Sequence, residues 1–281
     1  MPVRYSAVLL GVVLVGSLLL VGCGQSVGEG GNGGSGGTDP DPEFASVEMY
    51  VFDWSALPLN LTPAAGGSSS PREVPLEGVK VCQLDADNCV TTDSEGLTEI
   101  FFPRDGKEIA FTIVHEGYGR WVVSNVIDER FPELFGSPVR FPLYTHEYLE
   151  AIAAQVEVSY PWEKGMAALG RWAPQGEVKF IPVGPTADEV GAAFYFDDDT
   201  LRYSLEADAT GIITGINDFP LAQGGFAEVA PGVHQFELSV EAGHCTQASW
   251  GWPGDAPNRL RIPVLAGYTT YGSMRCGESP F

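Results

Sequence analysis

The stretch GVKVCQLDADNCVTTDSEGLTEIFFPRDGKEIAFTIVHEGY, from Gly78 to Tyr118, decides the fold class. It contains short runs of valine, isoleucine, phenylalanine and threonine, separated by glycine, aspartate, asparagine and proline. Short runs of such residues between turn residues are typical of antiparallel strands. The stretch therefore predicts an antiparallel β-sandwich.

Similar runs continue on both sides of this stretch and through the second half of the chain. FASVEMYVFDW (44–54) precedes it and RWVVSNVI (120–127) follows it. GLTEIFFPRDG (96–106) is echoed by GFAEVAPG (225–232), which suggests two related units, although two generic hairpins would give the same similarity. We therefore expect an all-β protein with more than one sandwich.

A single segment breaks the β pattern and divides the chain. YTHEYLEAIAAQVEV (144–158) is predicted to be a helix, because its apolar residues fall on one stripe and Thr145 can cap its first turn. The stripe consists of Tyr148, Leu149, Ile152 and Val156. We expect one sandwich at 44–143, a helical connector at 144–165 and a second sandwich at 166–281.

The stretch from Gly78 to Tyr118 resembles the carboxypeptidase regulatory-like module. The resemblance implies a transthyretin-like or immunoglobulin-like sandwich, and it implies no active site, because the shared positions are turn residues. The inserted cysteine hairpin departs from the family pattern, and the second half of the chain lacks a clean Thr-Asp-x-x-Gly turn. The matching positions are Gly78, Val79, Thr92, Asp93, Gly96, Gly106, Gly117 and Tyr118.

Residues 1–22 are predicted to be an export signal. Their apolar run from Ala7 to Val21 follows a single basic residue and is short for a membrane-spanning helix. Leu20 to Cys23 resembles the lipobox of bacterial lipoproteins, which implies cleavage before Cys23 and acylation of that residue. A plain secretory signal with a stray cysteine is the alternative.

Residues 23–43 are predicted to be a flexible linker, because a glycine-rich segment with almost no apolar side chains cannot offset its ordering entropy by burial. The overall arrangement also resembles lipoproteins of Gram-negative bacteria, a group without an assigned active site. In such lipoproteins an aspartate after the cysteine favours the inner membrane. Gly24 stands there, so we expect anchoring in the outer membrane.

The chain of 281 residues carries a net charge of −22. Nucleic acid is excluded as a partner by charge repulsion from its phosphates. The carboxylates are scattered along the sequence, which favours a solvated surface over an acidic binding tract. The partners we expect are the membrane, through the N-terminal lipid, and envelope proteins or glycans.

Apart from Cys23, the chain has four cysteines, Cys82, Cys89, Cys245 and Cys276, which allow three pairings. Cys82 and Cys89 flank the turn-rich segment QLDADN, so we predict that they pair across a hairpin. Cys245 and Cys276 would then close a longer loop. A zinc site is disfavoured, because no cysteine pair has the spacing of a zinc motif and the histidines are dispersed.

No local motif indicates catalysis, a metal or a cofactor. The sequence lacks His-Glu-x-x-His and the phosphate-binding loop Gly-x4-Gly-Lys-Ser/Thr. Histidine lies next to a carboxylate in VHEG (114–117) and THE (145–147), but a strand end and a helix start explain these pairs better. Asp85–Asn88 and Asp197–Asp199 could offer oxygen atoms to calcium, yet neither has the EF-hand spacing, and turn chemistry explains both.

Trp250 and Trp252 lie two residues apart and would share one face of an extended strand. They form a candidate binding platform for sugars or protein surfaces, with packing in the core as the alternative. We therefore expect a non-catalytic structural or interaction module of the cell envelope. The alternative is an envelope hydrolase whose dispersed site is built from carboxylates and from His115, His146, His234 and His244.

Overall fold

The computed structural model describes residues 43–54, 73–127, 138–172, 178–197, 202–205, 211–213, 224–239, 244–247 and 250–276. Its N-terminal part contains β1 (Phe44–Asp53), β2 (Val74–Pro75), β3 (Lys80–Gln83), β4 (Cys89–Thr91), β5 (Leu97–Pro103), β6 (Glu108–Val114), β7 (Trp121–Val126) and β8 (Val139–Leu143). Helix α1 (His146–Gln155) follows. The C-terminal part contains β9 (Gly165–Trp172), β10 (Val178–Pro182), α2 (Thr186–Glu189), β11 (Ala193–Asp197), β12 (Arg202–Leu205), β13 (Gly211–Ile213), β14 (Gly224–Val229), β15 (Gly232–Ser239), β16 (Cys245–Gln247), β17 (Trp252–Pro253), β18 (Arg259–Val264) and β19 (Thr269–Cys276).

Strands β1 to β8 form the N-terminal sandwich, in which two sheets face each other. One layer consists of β1 with β2, β5 and β8, and the other consists of β7, β6, β3 and β4 in that order. Ring contacts cross the interface: the ring centroids of Phe102 and Phe111 lie 5.7 Å apart, and so do those of Trp121 and Phe141. The alternating pattern of β1 therefore buries one face of the strand in this core.

Strands β9 to β19 form the C-terminal sandwich. A five-stranded sheet in the order β13-β10-β15-β18-β17 faces the layer that contains β11, β14, β9 and β19. Phe226 of β14 stacks on Phe236 of β15 with a centroid distance of 5.1 Å, and both side chains are fully buried. The predicted all-β fold with two sandwiches and one short helix between them is confirmed.

A single ten-stranded sheet connects the two sandwiches. Strand β19 lies between β7 and β9 and runs parallel to both, with Thr269 opposite Trp121 on one side and Met166 on the other. The pairing of β1 with β8 is also parallel, whereas the other described strand pairs are antiparallel as expected. The sandwiches are thus connected by a strand as well as by the helical segment, and the boundaries at residues 144–165 stay a prediction.

Helix α1 lies within the segment whose sequence predicts a helix. The hydroxyl of Thr145 accepts a hydrogen bond from the backbone N–H of Tyr148 at 3.3 Å, which caps the first turn. Leu149, Ile152 and Val156 of the predicted stripe are buried against the N-terminal core. No helix in the described part of the chain is long and apolar enough to cross a membrane.

Candidate functional site

A cleft of about 680 Å³ opens where the two sandwiches meet, and we call it the inter-sandwich cleft. The end of β3 and the start of β6 form its N-terminal wall. The turn that leads into β15, strand β17 and the end of β18 form its C-terminal wall. Ligand sites commonly have volumes of about 300–1,000 Å³, so the cleft is large enough to hold part of a partner.

Trp252 lies at the base of the cleft and is 9% exposed. Its indole Nε1 donates a hydrogen bond to the carbonyl oxygen of Ile109 at 2.9 Å, which links β17 to the N-terminal sandwich. The guanidinium carbon of Arg261 lies 5.9 Å from the centroid of the indole ring. The N–H of Trp252 is thus occupied and Arg261 lies beside its ring, which limits the aromatic surface that Trp252 can offer to the cleft.

The β3–β4 hairpin forms the N-terminal rim of the cleft and is fixed in two ways. A disulfide joins Cys82 to Cys89, and the N–H of Leu84 donates to the carbonyl oxygen of Ala110 at 2.7 Å. Asp85 follows with a φ of 60°, in the left-handed region that aspartate adopts more readily than most residues. The hairpin therefore holds the exposed carboxylate of Asp85 at the rim.

The described lining of the cleft carries carboxylates and no basic side chain. Asp85 has no ion-pair partner among the described residues, whereas Glu108 pairs with the guanidinium of Arg261. Arg261 stands just behind the lining, and its Nε also donates to the carbonyl oxygen of Pro253 at 3.0 Å. One negative charge at the rim, that of Asp85, is thus left without a nearby cation among these residues.

The C-terminal rim is a short turn that presents an exposed valine. Val233 is 55% exposed, although it lies at the start of β15. The neighbouring His234 is fully buried, and its Nε2 donates to the carbonyl oxygen of Ala230 at 2.6 Å. This hydrogen bond connects the start of β15 to the preceding turn and so holds Val233 in its position at the rim.

Both predicted disulfides are present. Cys82 and Cys89 occupy paired positions on β3 and β4, and Cys245 and Cys276 occupy paired positions on β16 and β19. Directly opposed strand positions bring the two sulfur atoms of each pair within bonding reach. The predicted lipidation site, Cys23, lies outside the described residues.

The two tryptophans do not form the exposed platform that their spacing suggested. Trp250 is 7% exposed and inserts its ring into the N-terminal core, edge-on to Phe111 and Phe141 at centroid distances of 6.1 and 6.4 Å. Trp252 is buried except where it meets the cleft. Trp250 therefore packs in the core, which was the alternative to the platform. Its ring belongs to the N-terminal core, although the residue lies in the C-terminal half of the chain.

The four histidines lie on different elements, and none of them is in the described lining of the cleft. His115 follows β6 and His146 begins α1, where its Nδ1 lies 2.5 Å from the hydroxyl of Tyr160. His234 lies in β15, and His244 immediately precedes β16. This arrangement gives no support to a hydrolase with a dispersed histidine and carboxylate site.

Two tyrosines near α1 are held in their neutral form. Burial and the nearby charge of Asp53 raise the pKa of Tyr118 to about 12, and its hydroxyl donates to Oδ2 of Asp53 at 3.1 Å. Burial, followed by the charge of Glu150, raises the pKa of Tyr160 to about 12. Both shifts point away from neutral pH, so both hydroxyls keep their protons at neutral pH.

Of the acidic segments considered as calcium ligands, one forms a turn and the other begins inside a strand. Asp85–Asn88 forms the tip of the β3–β4 hairpin, and Asp197 ends β11, while 198–199 lie outside the described residues. In the described ranges, no group of three histidine, cysteine or carboxylate side chains is arranged to hold a metal ion.

The residues that line the cleft have little local signal in the sequence. Asp85 stands out only as a turn residue, and Glu108 and Val233 look like ordinary members of alternating strands. They come together because β6 and β15 belong to different sandwiches that share a sheet. A cleft of this kind depends on long-range pairing, which composition and spacing do not reveal.

No protein-family model matches the chain, and no curated protein matches it. Solved structures with partial likeness include the Bacillus anthracis TIE protein, at 9% identity and a TM-score of 0.22, with 83% of this chain and 34% of that chain covered. Another is GBS52, the minor pilin of Streptococcus agalactiae, at 11% identity and a TM-score of 0.20, with 84% and 98% covered. The shaft pilin SpaA of Lactobacillus rhamnosus GG gives 10% identity and a TM-score of 0.21, with 84% and 99% covered. At such TM-scores, these likenesses carry no weight for the fold or function of this chain.

Proposed function

We propose that this protein is a lipid-anchored, non-catalytic interaction module of the cell envelope, and that it binds a protein partner in the inter-sandwich cleft. The observation that carries the proposal is the cleft, which is of ligand-site size and lies between two sandwiches that each contain a disulfide. Its described lining contains no histidine, serine, threonine, cysteine or lysine, and of its two carboxylates Glu108 is paired with Arg261. We therefore assign the cleft to binding rather than to catalysis.

A protein partner fits the cleft better than a glycan does. Sugar rings stack on open aromatic faces, and Trp252 is only 9% exposed, with Arg261 over its ring and its N–H bonded to Ile109. An apolar side chain needs only apolar contact, and Val233 together with the exposed part of Trp252 supplies it. The lining of the cleft thus favours side chains of a protein over sugar rings.

The anchor belongs to the proposal and rests on the sequence before residue 43. The lipobox-like segment ending at Cys23 supports acylation, and Gly24 supports sorting to the outer membrane of a Gram-negative bacterium. Two or three acyl chains would hold the protein stably at a membrane, whereas one would not. The glycine-rich linker would then let the sandwiches reach partners away from that surface.

The carboxypeptidase regulatory-like identity of the N-terminal sandwich is also part of the proposal. It is supported by the turn before β5, where Oδ1 of Asp93 accepts from the N–H groups of Glu95 and Leu97 at 2.9 and 3.0 Å. Gly96 has a φ of 73°, and a Cβ atom there would lie 2.5 Å from the carbonyl oxygen of Val51. The turn residues of the family pattern thus have a structural reason to be present.

Photo-cross-linking in intact cells tests the binding proposal. A photoreactive phenylalanine analogue replaces Val233 at the cleft rim in one variant, and Val74, an exposed strand valine of similar accessibility, in a control variant. We expect an envelope protein to cross-link at position 233 and not at position 74. Equal cross-linking at both positions, or none at position 233, would overturn the proposal that an envelope protein binds in the cleft.

Mass spectrometry of the processed protein tests the anchor separately. We expect a mature chain that begins with an acylated Cys23, and we expect Cys23→Ser to release the protein from the membrane fraction. Cleavage at another position, or an unmodified Cys23, would exclude the lipid anchor while leaving the cleft proposal intact.

A further inference from the structure

We propose that the partner segment in the inter-sandwich cleft carries an apolar side chain flanked by lysine or arginine. This inference rests on the proposed function and adds the chemistry of the partner to it. Two properties of the lining lead to it, namely an apolar base and an acidic rim.

The apolar part of the lining calls for an apolar side chain. Ile109, Ala110 and Trp252 are mostly buried at the base, while Val233 stands at the rim with more than half of its surface exposed. Ligand sites are concave and lined mostly by apolar side chains, as this cleft is. A side chain that covers Val233 and reaches the base would remove this surface from water.

The negative charges at the rim favour a basic residue in the partner segment. The described lining contains the carboxylates of Asp85 and Glu108 and no lysine, arginine or histidine. The guanidinium of Arg261 is engaged by Glu108, the carbonyl oxygen of Pro253 and the ring of Trp252. Asp85 is therefore the carboxylate that a basic residue of a partner can approach.

The charge of the whole molecule acts in the same direction. A net charge of −22 attracts basic segments from a distance and repels acidic ones, phosphorylated ones included. A metal ion fits less well, because metal ions take several oxygen ligands, and of the two carboxylates in the described lining Glu108 is already paired with Arg261. Acidic or uncharged peptides are thus outcomes of the test rather than expected partners.

The test uses the full exported chain with Cys23→Ser and three synthetic nonapeptides. One alternates lysine with leucine or valine, one replaces its lysines by glutamate, and one replaces its apolar residues by serine. Binding is followed through the indole N–H signal of Trp252 in ¹H–¹⁵N spectra, at low and at high salt. We expect only the first peptide to shift this signal, and we expect its affinity to fall as salt rises.

Two variants of one hairpin provide a matched comparison. Asp85→Asn removes the charge at the rim and keeps a side chain that tolerates a positive φ, while Asp87→Asn removes an equal charge two residues away, outside the lining. We expect Asp85→Asn to weaken binding of the basic peptide by about two- to fivefold, the size of an exposed ion pair. Asp87→Asn should leave it nearly unchanged.

Several results would overturn the inference. They are equal weakening by both variants, equal binding of the glutamate peptide, or binding of the basic peptide without a shift of the Trp252 signal. If position 233 cross-links an envelope protein while the basic peptide fails to bind, the proposed function stands and the partner segment is not a basic, apolar one. If the basic peptide binds as expected but position 233 cross-links nothing, the preference for basic, apolar segments stands and the envelope partner is wrong.

Discussion

The described strands of the N-terminal sandwich contain no glycine, whereas those of the C-terminal sandwich carry glycine inside β9, β14 and β19. The N-terminal core is filled by large side chains from facing strands, such as Phe102, Phe111 and Trp121. In the C-terminal sandwich, glycine stands inside strands where a side chain would have no room. A Cβ atom at Gly225 would lie 2.0 Å from the carbonyl oxygen of Ala167 and 2.8 Å from Cζ of Phe194.

The glycine content indicates what specifies each sandwich. Side-chain volume determines the N-terminal core, where β1 and β5 alternate in burial and β6 and β7 are almost continuously buried. In the C-terminal sandwich, close backbone approach at positions such as Gly225 requires glycine. Because glycine has no side chain, it weakens the apolar pattern by which a strand is recognised in the sequence. The N-terminal core also depends on the other half of the chain, because Trp250 fills part of it.

The largest effect is expected for Trp250→Ala, which tests that dependence. Removing the buried ring beside Phe111 and Phe141 should lower the free energy of unfolding by about 3–5 kcal/mol. Urea unfolding measures the loss, and hydrogen exchange locates it. We expect protection to fall first in β5 to β8, although the substitution lies in the C-terminal half.

Phe236→Ala is the matched control for the C-terminal core, because Phe236 is fully buried and stacks on Phe226. It should lower protection mainly in β14, β15 and β18. If Trp250→Ala and Phe236→Ala give the same exchange pattern, the two cores unfold as one unit. The two sandwiches would then not differ in local stability.

The two disulfides should contribute unequally to the stability of the two sandwiches. The bridge Cys245–Cys276 closes a separation of 31 residues and Cys82–Cys89 one of 7. In the loop-entropy model, their removal costs roughly 3–4 and 2–3 kcal/mol respectively. Thermal unfolding of the two double-alanine variants measures the difference. A greater loss from the hairpin variant would show that the hairpin bridge acts mainly on native packing.

Gly225→Ala should destabilise the C-terminal sandwich by about 1–3 kcal/mol, because its Cβ would press on the backbone of β9. Gly106→Ala serves as the control in the N-terminal sandwich. Gly106 has a φ of 70° and open space around it, so alanine meets only backbone strain of about 1 kcal/mol there. Denaturant midpoints compare the two. Equal midpoints would mean that close strand approach does not distinguish the sandwiches.

Much of the fold could be predicted from the sequence, and the unpredicted parts share a physical cause. β1 and β5 alternate in the sequence, β6 and β7 are short runs rich in β-branched and aromatic residues, and α1 has both its stripe and its Thr145 cap, so local patterns were sufficient. β14 was not predicted as a strand, since its glycines carry no side-chain pattern. The position of β19 between β7 and β9 depends on pairing partners far away in sequence, and the cleft depends on that pairing.

The smallest effect concerns the end of the N-terminal sandwich near α1, and it is tested with Tyr118→Phe. The variant loses the hydrogen bond to Asp53, which should lower the free energy of unfolding by about 1 kcal/mol at neutral pH. The pKa of Tyr118 is raised from 10.0 to about 12, by burial first and by Asp53 second. As the pH rises, the unfolded chain therefore loses this phenolic proton before the folded protein does, and the folded state becomes less stable relative to it. The stabilising contribution of the neutral phenol is complete below about pH 10 and is lost as the pH approaches about 12.

Urea titrations at pH 8, 10 and 11 measure this contribution in the wild type, in Tyr118→Phe and in Asp53→Asn. The wild type should lose stability over this range faster than Tyr118→Phe, because the variant has no phenol at this position to ionise. Asp53→Asn keeps an acceptor for the hydroxyl but removes the neighbouring charge, which lowers the pKa of Tyr118 in the folded protein. Its alkaline loss should therefore begin at the same pH, end at a lower pH and be smaller than that of the wild type. Parallel pH profiles for the wild type and Tyr118→Phe would show that ionisation elsewhere, and not at this end of the N-terminal sandwich, sets the alkaline limit.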